Sequence, residues 1–166
     1  DWTGLTSLHL PENMEEIGHG AFSSNAELQE VTFPKNLRVI PTDMLYNCSA
    51  LEKVVLPEQL ERIEASAFAY CEALTEIDLP EGVQFLGRNA FERCGFASIC
   101  IPDSVTEIEG NPFKNCKALR TVELSPNHPL LTVQDGMLID HVHQRVLRRL
   151  TTDALCIVPE GIKEIA

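Results

Sequence analysis

The stretch AFAYCEALTEIDLPEGVQFLGRNAFERC, residues 67–94, opens and closes on one phrase: Ala-Phe, then a cysteine three residues after the phenylalanine. Phe68 and Phe91 stand 23 positions apart, and between them an apolar alternation, Ile77-Asp78-Leu79, runs into Pro80. Anchoring on that proline carries the pattern along the chain. Pro11, Pro34, Pro57, Pro80 and Pro102 close LHLP, VTFP, VVLP, IDLP and ICIP at spacings of 23, 23, 23 and 22. Three residues later come Met14, Leu37, Leu60, Val83 and Val105; six later, Ile17, Ile40, Ile63, Leu86 and Ile108. Eleven later come Phe22, Leu45, Phe68, Phe91 and Phe113; fourteen later, Asn25 and then Cys48, Cys71, Cys94 and Cys116. One such unit cannot bury its own apolar side chains, but stacked units make a continuous core.

A period of roughly 20–29 residues with apolar positions in LxxLxL spacing marks a leucine-rich-repeat solenoid. Alternation places the main strand just before each proline, which has no N–H and suits the point where pairing stops. In LQEVTFP, Leu28, Val31 and Phe33 point inward, whereas Glu30 and Thr32 point out. LRVI and LERI read as a second, shorter extended stretch. ASAFAYC and RNAFERC read as a single helical or 3-10 turn, too short for a stable isolated helix. The expected fold is thus α/β in class. It is a right-handed leucine-rich-repeat solenoid of about seven coils with a parallel sheet one coil wide, mostly strand with short helical or 3-10 turns.

The pattern LxxIxLPxxLxxIxxxAFxxCxxL resembles the BspA-type, or treponemal-type, leucine-rich repeat, and CEALTEIDLPEGVQFLGRNAFERC matches it at nearly every defining position. The resemblance covers residues 1–124 and extends to SPNHPLLTVQDGMLIDHVHQRVLRRL (125–150). In this family a longer unit carries an inserted hairpin, with the Asp135-Gly136 pair at its turn; here Leu150 stands where a proline is usual. The expected organisation is one solenoid over 1–166. Regular repeats fill 1–124, the longer unit with its hairpin fills 125–153, and a resumed, truncated repeat fills 154–166. Trp2 takes the cysteine position of a preceding partial unit, and only Ala166 follows Ile165, so the sequence reads as part of a longer chain.

Composition bounds the partners. The 166 residues carry 13 basic and 25 acidic side chains, a net charge of −12 that disfavours nucleic acid, whose phosphates demand basic patches. No apolar run approaches the roughly 20 residues of a membrane helix, so no membrane insertion is expected.

Four of the six cysteines fall at one repeat position and should form a column inside the stack. Cysteine is small and readily buried, so packing is the reading adopted. Zinc wants four ligands converging on a point, which a column does not offer; disulfides between coils would start from parallel Cβ vectors. Cys156 aligns with an inward strand position, whereas Cys100 falls at an outward one.

Catalytic signatures are missing: no nucleophile elbow, phosphate-binding glycine loop, HExxH helix or CxxC pair occurs. His141 and His143 form an HxH that on a strand would share a face, but two ligands without a third are weak metal evidence. Arg145, Arg148 and Arg149 read as a solvated hairpin face, the alternative being docking onto an acidic neighbour. The protein is expected to be non-enzymatic, with no cofactor and no metal. Binding is expected on the outward strand residues, coil by coil: Ser7 and His9, Glu30 and Thr32, Lys53 and Val55, Glu76 and Asp78, Ser98 and Cys100, Thr121 and Glu123. That strip is mildly acidic and holds no aromatic residue; an exposed aromatic strip would be needed for carbohydrate stacking. The resemblance implies an extracellular, adhesive module of a bacterial cell-surface protein, binding a protein ligand such as a host surface or matrix protein. The alternative is a structural spacer that projects another domain.

Overall fold

The computed structural model describes residues 4–152 and 155–166; Trp2 lies outside them, as do Asp153 and Ala154 at the start of the resumed repeat. The stack has two strand columns. The main column comprises β1 (Ser7–His9), β2 (Glu30–Thr32) and β4 (Lys53–Val55) in one parallel sheet, and β7 (Ser98–Cys100) with β9 (Thr121–Glu123) in another. The second column is a four-stranded parallel sheet of β3 (Val39–Ile40), β5 (Arg62–Ile63), β6 (Phe85–Leu86) and β8 (Glu107–Ile108). Glu30 pairs with Lys53 and Val31 with Val54, so the pairing register repeats the sequence period.

The main column is interrupted. Residues 75–79 keep the in-out alternation, with Ile77 buried and Glu76 and Asp78 exposed, but they form no strand. The interruption borders the unit that is one residue short. There Gly95 donates its N–H to the Leu74 carbonyl at 2.9 Å, and a Cβ on Gly95 would fall 2.4 Å from Glu72 O. Only glycine fits that approach.

No helix forms among the described residues, which corrects the helical and 3-10 turns and the α part of the expected class. The hydrogen bonds show why. An α-helix sends every N–H to the carbonyl four residues back. In these turns the N–H groups alternate between a carbonyl three back and one on the next coil: Cys48 N donates to Leu45 O, whereas Leu45 N donates to Ala67 O. Left-handed residues bracket each turn. One column is Gly20, Asp43, Ser66 and Asn89 with φ from 56° to 61°; the other is Ser24, Asn47, Tyr70, Arg93 and Asn115 with φ from 57° to 65°. Such φ values stop helix propagation after one turn.

Inside, phenylalanines stack through the coils. Phe68 to Phe91 and Phe91 to Phe113 have ring centroids 5.6 Å and 5.9 Å apart, each nearly parallel, and Phe96 meets Phe91 edge-on. Cys48, Cys71, Cys94 and Cys116 form the expected buried column, and all six cysteines are unpaired. The thiols also do something the repeat pattern does not announce. Each donates to a carbonyl of the preceding coil at 3.0–3.2 Å: Cys48 to Phe22, Cys71 to Leu45, Cys94 to Phe68, Cys116 to Phe91. Asn25, at the cysteine position of the first coil, donates its Nδ2 to the same Phe22 carbonyl. At the far end Arg148 takes over, its guanidinium donating to Phe113 O and Cys116 O.

Burial raises the Cys48 and Cys116 thiols to about 11 and lifts Cys71 and Cys94 further. Maleimide labelling at pH 8 without denaturant is therefore expected to modify two cysteines, Cys100 and Cys156, with the other four reacting only in denaturant. Mass spectrometry of the labelled chain checks this; rapid labelling of a column cysteine in the folded chain would break the account.

Residues 131–149 form a three-stranded antiparallel meander: β10 (Leu131–Gln134), β11 (Met137–Asp140) and β12 (Arg145–Arg149). Asp135 and Gly136 make its first turn with φ of 49° and 70°, the two left-handed residues a two-residue hairpin needs. β12 then pairs in parallel with β13 (Glu164–Ile165), so it stands where a coil's second short strand would be. His128 anchors the start. It is buried, its Nε2 lies 3.1 Å from Pro102 O, and its Nδ1 accepts from the Leu130 and Leu131 N–H groups. Burial holds its pKa below the ordinary histidine value, consistent with a neutral ring in that arrangement.

Cys156 corrects another expectation. It is exposed, as are Leu155, Ile157 and Val158, because residues 155–158 carry no strand and pair with nothing that would turn them inward. Its thiol lies 3.9 Å from Met137 Sδ.

Candidate functional site

The strand column sorts its residues by parity. Leu8, Val31 and Val54 face the core. Ser7, Glu30 and Lys53 form one outward row, and His9, Thr32 and Val55 a second. Beyond the interruption, Ile99 and Val122 face in, while Ser98 aligns with Thr121 and Cys100 with Glu123 on the outside. Glu76 and Asp78 are exposed between these groups, on a segment rather than a strand. All twelve sequence-derived residues thus sit outside the core, ten of them in two clusters of paired strands and Glu76 and Asp78 in the gap between.

The charges differ from a simple tally. Lys53 Nζ lies 2.5 Å from Glu30 Oε1, and this hydrogen bond and charge hold the Glu30 carboxyl below its usual range. That pair is neutral in sum. Glu76, Asp78 and Glu123 have no ion-pair partner among the described residues, so the acidic character lies in coils 4 to 6. Ser7 Oγ and His9 Nδ1 are 3.3 Å apart.

The histidine and arginine candidates of the insert fall elsewhere. His141 and His143 lie on a turn (residues 141–144), not on one strand face. His143 is held by Asp140, its Nδ1 2.7 Å from Oδ2, and His141 Nε2 approaches His128 O at 3.4 Å. No group of three histidines, cysteines or carboxylates among the described residues could hold a metal ion. Only Arg149 of the three arginines is solvated: Arg145 bonds Asp140 and Ile108 O, and Arg148 bonds the turn of the preceding coil. The solvated-face reading is corrected for those two.

Sequence reasoning missed a third surface. On the turn edge, Tyr46 and Tyr70 pack with centroids 5.2 Å apart, and the Arg93 guanidinium sits 5.2 Å from the Tyr70 ring. The signal was available: Tyr70 and Arg93 occupy a position filled elsewhere by Ser24, Asn47 and Asn115.

Residues 1–129 match the BspA type leucine rich repeat region, in six copies. The chain belongs to that family. It is similar to a crystal structure of a leucine-rich repeat protein from Bacteroides ovatus, with 31% identity over 71% of this chain and 33% of that one, TM-score 0.68. It is also similar to the T. pallidum leucine rich repeat protein, at 29% identity over 72% of this chain and 59% of that one, TM-score 0.70. The pneumococcal vaccine antigen PcpA shares the fold at 18% identity, TM-score 0.72, over 98% of this chain and 51% of that one. The chain therefore spans a third to three-fifths of these proteins. No curated protein sequence matches it. No helix among the described residues is long and apolar enough to cross a membrane.

Proposed function

We propose that the chain is a non-enzymatic interaction module of a bacterial cell-surface protein, adhesive in role, that binds a protein ligand through the outward strand face. The observation that carries this reading is the arrangement of Glu76, Asp78 and Glu123. They are exposed, lack ion-pair partners among the described residues and face outward, Glu76 and Asp78 on the segment that interrupts the strand column and Glu123 on β9 two coils further on. Membership of a repeat family supports a binding scaffold, since stacked repeats offer extended surfaces rather than enclosed pockets. Similarity to a vaccine antigen supports surface display. Unpaired carboxylates favour a ligand with a basic or polar surface, such as a matrix protein.

The test is binding of the chain to immobilised matrix proteins beside the triple variant Glu76→Lys, Asp78→Lys, Glu123→Lys. All three side chains are solvated, so the variant is expected to fold and to lose at least tenfold in affinity. Equal binding by both would place the contact elsewhere. No binding by the folded chain to any matrix protein would favour the spacer role.

A further inference from the structure

The turn edge, opposite in character to the acidic strand face, carries a row of groups that the repeat does not require. Tyr46, Tyr70 and Arg93 follow one another from coil to coil along the stack, and Asn115 and Lys117 share the next coil. Tyr46 packs on Tyr70, Arg93 lies over Tyr70, and Arg93, Asn115 and Lys117 line one cleft of about 230 Å³. Lys114 flanks the row, lining a second cleft that shares Asn115. Tyr46 is 36% exposed, and Lys114 and Lys117 are exposed and without an acidic partner among the described residues. One carboxylate lines the smaller cleft, Glu72, and it is already paired with Arg93 at 3.1 Å. A second carboxylate, the buried Glu92, accepts from Asn115 Nδ2 at 3.1 Å, so Arg93, Lys114 and Lys117 stand against Glu72 and Glu92, and one positive charge is left over in a chain of net charge −12.

Three of these residues hold left-handed backbone: Asn115 at φ 57°, and the bulkier pair, Tyr70 at φ 65° and Arg93 at φ 61°. Bulky side chains are uncommon there, and equivalent coils use serine or asparagine. Packing does not account for the choice, since neither side chain enters the core.

We propose that this edge binds an acidic oligosaccharide lying along the solenoid axis, with a neutral ring against the tyrosines and a uronate or sulfate group between Arg93 and Lys117. Tyrosine faces suit the apolar faces of sugar rings, while guanidinium and ammonium groups suit the anion. The smaller cleft lies below the roughly 300 Å³ at which drug-sized pockets begin, room for one charged ring. Its floor of Gly95 and Ala118 offers a peptide no deep apolar anchor of the kind that dominates protein interfaces. The site is separate from the strand face, so its success or failure does not depend on the protein ligand proposed above.

The experiment is calorimetric titration of the 166-residue chain at low and at near-physiological salt with four probes. These are a hyaluronan tetrasaccharide for uronate, a heparin tetrasaccharide for sulfate, chitotetraose as the neutral control and hexaglutamate as the acidic peptide. At least one acidic saccharide is expected to bind tenfold or more tightly than both controls, more weakly as salt rises. Lys117→Glu and Arg93→Gln should each reduce that affinity at least tenfold, and Tyr46→Ala should weaken it at both salts. Which saccharide binds tells uronate from sulfate. The proposal is overturned if neither acidic saccharide binds, if hexaglutamate binds as well, or if Lys117→Glu leaves affinity unchanged while the circular dichroism melt matches wild type.

Discussion

Phe91→Ala is expected to destabilise the chain by about 3–5 kcal/mol, the usual range for removing a fully buried phenylalanine. Phe91 touches three other rings: Phe68 on one side, Phe113 on the other and Phe96 edge-on, all within the distance range of favourable aromatic pairs. Its loss opens a void spanning two coil interfaces at once. In a solenoid stability is the sum of coil terms and nearest-neighbour interfaces, so damage at a central coil weakens the coupling between the two halves. Phe22 in the first coil has the same repeat position but is 8% exposed, so Phe22→Ala should be milder. Phe91→Leu should also be milder, since Leu45 fills the equivalent site in the second coil. Urea denaturation of the three variants beside wild type measures these differences. A loss below about 1 kcal/mol for Phe91→Ala would mean that the neighbouring rings close the void, contrary to the rigid packing of protein interiors.

The phenylalanine and cysteine columns were legible in the sequence because a fixed period puts equivalent residues in contact. Phe68 and Phe91 meet in space for the same reason that they align in print. The turns were misread because AFxxC spacing looks the same in a helical turn and in a tight turn whose alternate N–H groups bond the next coil. Only the left-handed residues separate the two, and Tyr70 and Arg93 have no preference that would announce such a φ. The strand-face residues were placed outside correctly. Their electrostatics were less legible: composition makes the strip mildly acidic as a whole, whereas the register pairs Glu30 with Lys53, one period apart, and leaves the excess on Glu76, Asp78 and Glu123. Where the period lapses, so did the reading. The meander carries a register shift between Leu138 and Ile139, and Arg145 and Arg148 bond the preceding coil, although the basic run reads as a solvated hairpin face.

Asp140→Ala is the second large effect, expected at about 3–5 kcal/mol, because it breaks a buried ion pair from one side. Asp140 is fully buried; it accepts from the His143 N–H at 2.9 Å, His143 Nδ1 at 2.7 Å and Arg145 Nε at 2.9 Å. Arg145, whose side chain is only 12% exposed, would keep its bond to Ile108 O but lose its counter-charge. The exposed pair of Lys53 and Glu30 makes the contrast, since solvent screens such pairs and they contribute little. Burial by itself would raise the Asp140 carboxyl, yet the hydrogen bonds from His143 and the bond and charge of Arg145 outweigh it and leave the pKa below the ordinary value. A depressed carboxylate pKa stabilises the fold fully above the unfolded value of about 4, and that contribution fades as pH falls toward the folded value. The gap between wild type and Asp140→Ala should therefore be widest near pH 7 and narrow below about pH 4. Hydrogen exchange should rise first over 131–149, the segment that Asp140 and Arg145 tie to the preceding coil. An equal gap at pH 7 and pH 3 would show that the side chain acts through packing and not through its charge.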